Sequence, residues 1–591
     1  MSSNFAFLAG AWPRVQLEAT RSEQAARTDP VGCCFFDRRA LETVVGWMYR
    51  ADSTLREPYR DDLSARLAEP TFQHLVPPTV RTKMDLIRRF GNRAAHPGNR
   101  GPTPDDALTA TRELFHVMYW VAVTYAPDPA HRPPPGLAFD PQLLPPPAGA
   151  VIRRTAQQIA QLEAELRARD QAIAEAERRN ADLDAEIARL RKEVAQARAA
   201  NAERPDTHDY DEAQTRDRFI NELLRESGWD SSGPDDTEYR VDGLPNGGRG
   251  RIDYVLWGSD GLPLALVEAK RTRRDPRQGR VQAAQYADAL ESRFGRRPLT
   301  YYTNGYEHWF WDDQAYPPRR VEGFHTRDEL EAIVGRRIRA RSPAAEPVNE
   351  IVAGRAYQQR AIRRVADAFD TDRQRRARLV MATGAGKTRT VIALVDLLQR
   401  CGWIRRVLFL ADRKALVRQA ANAFRTHLPD SPLVNLLDDR SGTRRVYLST
   451  YPTMLNLINR LDGENRRPFG PGFFDLVVID EAHRSVYQKY RAIFSYFDSL
   501  LVGLTATPKD QVDHNTYQLF GLEDGVPTDA YPLEEAIADG YLVPPRAVSL
   551  PLHTATGVAL PGPAGGGAGT LGRTRMGRGR CRPGRGGPGG R

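Results

Sequence analysis

One run in this chain leaves little freedom to the fold around it. Residues 376–398, RARLVMATGAGKTRTVIALVDLL, read as an apolar strand, a glycine loop and an amphipathic helix with almost nothing between them. A loop that feeds a strand into a helix N-terminus turns several backbone N–H groups towards one point. The helix dipole adds positive character there, so Thr383, Gly384, Ala385 and Gly386 form a phosphate cradle. Lys387 is placed to reach the β- and γ-phosphates and Thr388 to hold Mg²⁺. From about residue 350 strands and helices alternate, which predicts a parallel sheet.

Five further segments accompany that loop. FFDLVVIDEAH (473–483) is an apolar strand ending in Asp480 and Glu481, with His483 two positions on. LVGLTATP (501–508) is another buried strand, ending in Thr505–Ala506–Thr507. Tyr357–Gln358 precede the loop, and VLFLADRKALVRQ (407–419) and VYLSTYPTM (446–454) lie between the loop and the acids. In this order the segments resemble the DEAD/DEAH-box helicases of superfamily 2, whose shortened loop tolerates Met381 where the full pattern has glycine. The resemblance implies ATP and Mg²⁺ as cofactors and a RecA-like fold. It implies that Gln358 reads adenine, that Asp480 holds Mg²⁺ through water and that Glu481 polarises the attacking water. His483 would couple the nucleotide site to the next motif, Thr505–Ala506–Thr507, itself a coupling motif, and 407–419 and 446–454 would touch DNA phosphates.

Residues 206–340 read as a separate α/β unit. A helix carries Glu212, and two short strands, RIDYVLW (251–257) and LALVEAK (264–270), are joined by a turn at Gly258–Pro263. Asp253 lies on the first strand. Glu268 and Lys270 are two apart on the second and so face one side. Two carboxylates converging from neighbouring strands can hold Mg²⁺ against a scissile phosphate, and the lysine can position water or stabilise charge. Gln282 and Tyr286 follow four apart on one helix face. This is the PD-(D/E)xK pattern, and with the Gln-x-x-x-Tyr element it resembles the nuclease domain of type I restriction enzyme R subunits. There Glu212 would match the acid of the first helix. The likeness covers about 210–555, including YPLEEAIADGYLVPP (531–545). It implies an ATP-dependent translocase and endonuclease that acts on unmodified double-stranded DNA beside methylase (M) and specificity (S) subunits.

Ahead of these lies a helical domain, 1–130, with helices at Arg39–Tyr49 and Thr111–Tyr125. Between them, RRFGNRAAHPG (88–98) is expected to end one helix at Gly91 or Asn92 and to block another at His96–Pro97. The segment resembles a helical domain found at the front of many restriction-type helicases. His96 reads first as a helix-end histidine bonded to backbone. Residues 131–150 form a Pro-rich linker, expected to be extended and semi-rigid. Residues 151–205 carry coiled-coil heptads: Ile152, Ile159, Leu166, Ile173, Asn180, Ile187 and Val194 on one seam, and Leu162, Ala176, Leu183 and Leu190 on the other, with Arg169 a defect. Self-association, a partner helix and packing onto the chain's own domain all remain open for it.

The net charge of +10 invites a nucleic-acid reading, but seven arginines of 561–591 supply most of it and leave +3 for the rest. The four cysteines, Cys33, Cys34, Cys401 and Cys581, are too scattered for disulfides or zinc, which predicts a reducing, cytoplasmic setting. Neither an apolar run of membrane length nor a secretory leader is visible. The expected architecture is therefore multidomain: helical domain, coiled coil, nuclease-like α/β domain 206–340, and first RecA-like P-loop domain 345–552. Past Leu552 the pattern dissolves into Gly, Arg, Pro and Ala. The tail 553–591 reads as disordered, either as a basic nucleic-acid-binding segment or, as we take it, as a frameshift that removed a second motor domain. Arginines from such a second domain contribute roughly 10³–10⁵ in rate, so ATP binding is expected without efficient hydrolysis. Two other readings stand beside this one: a stand-alone helicase-type defence or DNA-processing protein, and a non-catalytic fragment that oligomerises and binds DNA.

Overall fold

The computed structural model describes residues 3–58, 62–95, 101–126, 128–146, 156–178, 183–202, 212–230, 233, 235–244, 248–269, 279–303, 307–439, 444–458, 466–481, 484–506 and 526–544. His96, Asn180, Lys270, His483, Thr507 and the tail 553–591 lie outside these residues.

The N-terminal part is a bundle of α1 (Pro13–Ala25), α2 (Pro30–Ala51), α3 (Leu63–Ala68), α4 (Pro70–Leu75), α5 (Pro78–Ala95) and α6 (Pro104–Tyr125). All but α3 open on proline, where the missing N–H has no helical partner to lose. Asp29 caps α2 by accepting from Gly32 N, and Thr103 with Asp106 forms a capping box on α6. Both expected helices are present and longer than their apolar cores. The break expected at Gly91 or Asn92 is absent, because α5 runs through both. Gly91 serves packing instead: a Cβ there would lie 2.4 Å from Arg38 Cβ, so α2 and α5 approach closely at that point.

The Pro-rich segment is not a free spacer. Its described part lies along the bundle, with two 3-10 turns, Pro129–His131 and Pro141–Leu143. Asn4 Nδ2 donates to Asp140 O and Asp140 N to Asn4 Oδ1, while Phe139 packs on Phe115 and Leu144 is buried. The described residues of the heptad seam likewise pack on the chain itself. Its described parts are α7 (Ala156–Arg178) and α8 (Leu183–Ala202). Ile159, Leu162 and Leu166 pack among Cys33, Phe35 and Phe90, and Val194 packs with Val44 and Met48. Arg198 pairs with Asp52 at 2.6 Å and Asn201 Nδ2 donates to Thr124 O at 3.0 Å. Cys33, Cys34 and Cys401 are free and buried.

The second unit begins with α9 (Glu212–Glu226), followed by β1 (Thr237–Leu244), β2 (Gly248–Trp257), β3 (Pro263–Ala269), α10 (Gly279–Phe294), β4 (Leu299–Thr303), β5 (His308–Trp311), β6 (Arg319–Val321) and α11 (Arg327–Arg339). Its sheet runs β1-β2-β3-β4-β5-β6. All neighbours are antiparallel except β3 and β4, which α10 joins as a parallel crossover. The near-continuous apolar run of β3 fits a strand covered on both faces. One buried cluster runs from Cys34, Phe35 and Phe90 of the bundle through Phe219, Ile220 and Leu223 of α9 to Leu264, Val267 and Tyr301 of the sheet.

The third unit contains α12 (Ala356–Asp370), β7 (Arg376–Met381), α13 (Lys387–Arg400), β8 (Val407–Ala411), α14 (Lys414–His427), β9 (Leu433–Asn435), β10 (Val446–Thr450), α15 (Tyr451–Ile458), β11 (Leu476–Ile479), α16 (Arg484–Tyr496), β12 (Leu500–Thr505), β13 (Asp529–Tyr531) and α17 (Leu533–Ala538). Its sheet is ordered β13-β7-β12-β11-β8-β10-β9, with every pairing parallel, as the alternation of strands and helices predicted. Ion pairs fasten the second unit to the amino ends of these strands. Asp498, ahead of β12, binds Arg319 of β6 at 2.5 Å, Arg375 ahead of β7 at 2.9 Å, and His325 at 3.2 Å. Asp475, ahead of β11, binds Arg336 of α11 and accepts from the backbone N–H groups of Arg405 and Arg406. A Cβ at Gly472 would lie 2.2 Å from the His325 ring, so that loop needs glycine to come so close. No helix among the described residues is long and apolar enough to cross a membrane.

Candidate nucleotide site and candidate metal-dependent cleavage site

The phosphate loop leaves the carboxyl end of β7 and enters α13 at Lys387. Gly384 (φ +89°) and Gly386 (φ +85°) both take the left-handed conformation that favours glycine. A Cβ on Gly386 would lie 2.7 Å from Gln358 Nε2. The loop thus closes as the sequence predicts, with Thr383 exposed at its outer side, Ala385 buried, and Thr388 on the first turn of α13. Lys387 Nζ donates to Met381 O at 3.3 Å. Burial lowers its pKa, against the opposing pull of Glu481 and Asp480.

Strand order explains which groups meet. β12 lies between β7 and β11, so the carboxyl ends of three adjacent strands carry the loop, Thr505 and Asp480 side by side. Thr505 pairs in register with Val380, just ahead of the loop, and is fully buried. Asp480 follows β11, its N–H donating to Leu410 O and its C=O accepting from Tyr451 Oη at 2.7 Å. Burial and the neighbouring Glu481 raise its carboxyl pKa, while Lys387 lowers it. Glu481 itself is a non-glycine residue at φ +57°. Strain of this kind, on the order of 1–3 kcal/mol, survives where surroundings over-determine it.

Gln358 is buried against the loop. Its Nε2 donates to Ala385 O and its Oε1 accepts from Arg355 N, each at 3.4 Å. Beside it lies a tyrosine cluster whose meeting the sequence did not reveal. Tyr357 Oη donates to Ala385 O at 2.8 Å, and its ring stacks on Tyr531 at 3.7 Å and 8°. Tyr541 meets Tyr357 edge-on with Arg355 over its own ring, and Ala382 N donates to Tyr531 O. The segment 529–542 therefore braces the loop. Its sequence signal was the recurrence of tyrosine at 531 and 541, but only the chain path makes that meaningful.

In the second unit the register that sets Tyr254 against Val267 places Asp253 opposite Glu268 on the neighbouring strand. Asp253 Oδ2 accepts from Ala269 N at 2.6 Å, and Glu268 is buried. By alternation both share a face with Val255 and Leu266, which pack under Ala283, Tyr286 and Leu290 of α10. Gln282 Nε2 donates to Tyr286 Oη at 2.8 Å, and a Cβ on Gly250 would lie 2.6 Å from the Tyr286 ring. The two acids and the Gln–Tyr pair thus occupy one side of the sheet. Glu212 is the first residue of α9, and its side chain lies outside the described set, as does Lys270. Among the described residues no group of three or more His, Cys, Asp or Glu side chains is gathered as a metal site. Asp253 and Glu268 offer two oxygen ligand groups, which suits a cation that keeps several waters, such as Mg²⁺.

Three family descriptions match parts of the chain. "Type III restriction enzyme, res subunit" covers 351–510, "Type I restriction enzyme R protein N terminus" covers 237–319, and a domain of unknown function (DUF4145) covers 20–132. The EcoAI type I restriction enzyme endonuclease subunit of Escherichia coli is 33% identical over 318 residues, 50% of this chain and 37% of that protein. The corresponding EcoKI subunit of Escherichia coli strain K12 is 27% identical over 372 residues, 50% of this chain and 30% of that one. The chain therefore spans about a third of the length of these relatives. Among solved structures, a fragment of a putative type I HsdR subunit from Vibrio vulnificus YJ016 is 28% identical, covering 56% of this chain and 61% of that one with a TM-score of 0.26.

Proposed function

We infer, from a chain related to the R subunits of type I restriction enzymes across 237–319 and 351–510, that it is the ATP-using, DNA-cleaving subunit of a type I-like restriction system. The observation that carries this is the meeting of the phosphate loop, Thr505 and Asp480–Glu481 at the carboxyl ends of three adjacent parallel strands. Backbone N–H groups from Thr383 to Lys387 would bind the phosphates, and Lys387 would neutralise the outer ones. Thr388 and Asp480 would hold Mg²⁺, Glu481 would orient the attacking water, and Gln358 would select adenine. Thr505, with His483 and Thr507, would carry the state of the site towards bound DNA. The opposition of Asp253 and Glu268 beside Gln282–Tyr286 supports a cleavage site on duplex DNA, completed by Lys270 and by Glu212. Bound Mg²⁺ supplies charge neutralisation and an acidified water there. Asp253 and Glu268 would fix the position of the phosphate, and Lys270 would orient the water. Site choice would belong to methylase and specificity subunits.

Lys387→Ala should abolish binding of a fluorescent ATP analogue; unchanged affinity would remove the phosphate-site assignment. Asp253→Ala, Glu268→Ala and Lys270→Ala should each abolish Mg²⁺-dependent cleavage of unmodified duplex, and cleavage persisting in all three would exclude the nuclease reading. The bundle built into the core of the second unit favours one alternative, a DNA-processing protein that works without methylase and specificity subunits. Co-purification with those subunits, or its absence, separates the two.

A further inference from the structure

The N-terminal bundle has no part in the activity proposed above, yet it meets both other units at one buried point. α9 is covered on two sides: Phe219, Ile220 and Leu223 share a core with the sheet and with Phe90 and Ala94 of α5. Arg93 of α5 reaches Glu222 at 3.3 Å, and the Arg89 guanidinium lies 5.4 Å from the Phe219 ring. At the end of α9, Glu226 accepts from Arg89 of the bundle and, at 2.8 Å, from Arg467 of the third unit. Arg467 N also donates to Glu226 O. Behind this pair, Asp85 accepts from Arg88 and Arg89. Burial opposes ionisation of Glu226, but the two guanidiniums bring its carboxyl down to about 2.

From Arg467 the contacts continue to the nucleotide site. Arg467 Nη1 donates to Ile458 O at 3.2 Å, the last residue of α15. The first residue of that helix, Tyr451, donates through its hydroxyl to the carbonyl of Asp480 at 2.7 Å and stacks on Tyr490 of α16. The eight residues of α15 span about 12 Å at ~1.5 Å per residue. One short helix is therefore fixed at one end to the candidate Mg²⁺-binding acid and at the other to the three-way joint.

We propose that the N-terminal bundle is a nucleotide-responsive arm of the motor, joined to it through Glu226: a change at Asp480 moves α15, and Arg467, Glu226 and Arg89 pass that movement to α5. The proposal rests on the ATP-site reading. Glu226 acts as a positioning residue, since it touches neither nucleotide nor DNA.

The test uses the full chain. Binding of fluorescent ADP with Mg²⁺ is measured first, and then backbone hydrogen exchange across 78–95 with and without saturating ADP. In the unsubstituted protein ADP should change exchange in α5 by about fivefold or more, the lower end of ordinary coupling between sites. Glu226→Gln should keep ADP binding and lose the response of α5. Because that change leaves buried arginines short of a partner, Tyr451→Phe serves as a second variant. It cuts the path at the nucleotide end, leaves the joint intact and should give the same loss. An α5 response that persists in both variants, or is absent when ADP binds the unsubstituted protein, overturns the proposal alone. Failure of that protein to bind ADP overturns the ATP-site reading and the proposal together.

Discussion

Asp37 shows how much one side chain can decide. It is fully buried in the bundle and accepts from Ser22, from Thr111 at 3.4 Å and from the Cys33 thiol at 3.5 Å, with no cation among these partners. Burial raises its carboxyl to about 7, although the three donors lower it. An acid with a raised folded-state pKa stabilises the fold below its unfolded pKa near 4, and that contribution is lost as pH rises to about 7. Raising a carboxyl that far corresponds to a loss on the order of 4 kcal/mol across that window. The bundle's melting temperature should therefore fall between pH 4 and 7, and Asp37→Asn, which cannot ionise, should flatten the fall. A slope unchanged in the variant would show that another group titrates. Gly91 makes a second residue-scale case. Alanine there gains about 1 kcal/mol of helix propensity but places a methyl 2.4 Å from Arg38 Cβ, and overpacking costs about 1–3 kcal/mol. Gly91→Ala should thus lower the melting temperature despite being the better helix former. The sequence showed glycine at position 91 and suggested a helix end, because spacing carries no information about which neighbour approaches. It made Gly384 and Gly386 legible, by contrast, because a strand–loop–helix junction has few backbone solutions.

Elements were legible where their apolar period was long. β7, β11 and β12 carry buried runs of four to six residues and are visible in the sequence as apolar strands, whereas β8 and β10 are equally buried but enter the sequence reading only as segments likened to helicase motifs. The short strands β5, β6 and β13, of which β6 and β13 lie at sheet edges, carry no such run, and only pairing to a neighbour defines them. Heptads in 151–205 were equally visible, but their partner was not, since a seam of Ile and Leu fits a second copy and a bundle surface alike. Ile159 is buried within the chain's own core. Ile159→Ala should accordingly cost roughly 2–5 kcal/mol of stability, read as a lower unfolding midpoint in urea. The sedimentation mass should stay the same; a fall in mass would restore the seam to an intermolecular role. The acid pair was legible in part. The two-residue spacing set Glu268 and Lys270 on one face, whereas the opposition of Asp253 to Glu268 depends on a hairpin register that the turn at 258–263 fixes.

At the scale of the whole molecule, the second and third units are fastened at Asp498, where two arginines and a histidine converge on one carboxylate that is almost entirely covered. Removing a single partner from such a cluster costs roughly 3–5 kcal/mol. Asp498→Ala should split one cooperative melting transition into two, the sheet of β1–β6 separating from that of β7–β13. A single transition shifted to lower temperature would mean that the apolar contacts alone suffice to hold the units together. Nothing in the sequence singled out Asp498, because its partners come from 123 to 179 positions away. Chain order has one more effect. β13 takes its place beside β7 although some 150 residues separate Tyr531 from Met381. Contacts so distant in sequence form late, after the entropy of closing the intervening loop has been met. On a ribosome, the glycine loop after β7 is synthesised well before the tyrosine that braces it, so a nascent chain would carry that loop unsupported until nearly all of the β7–β13 sheet had emerged.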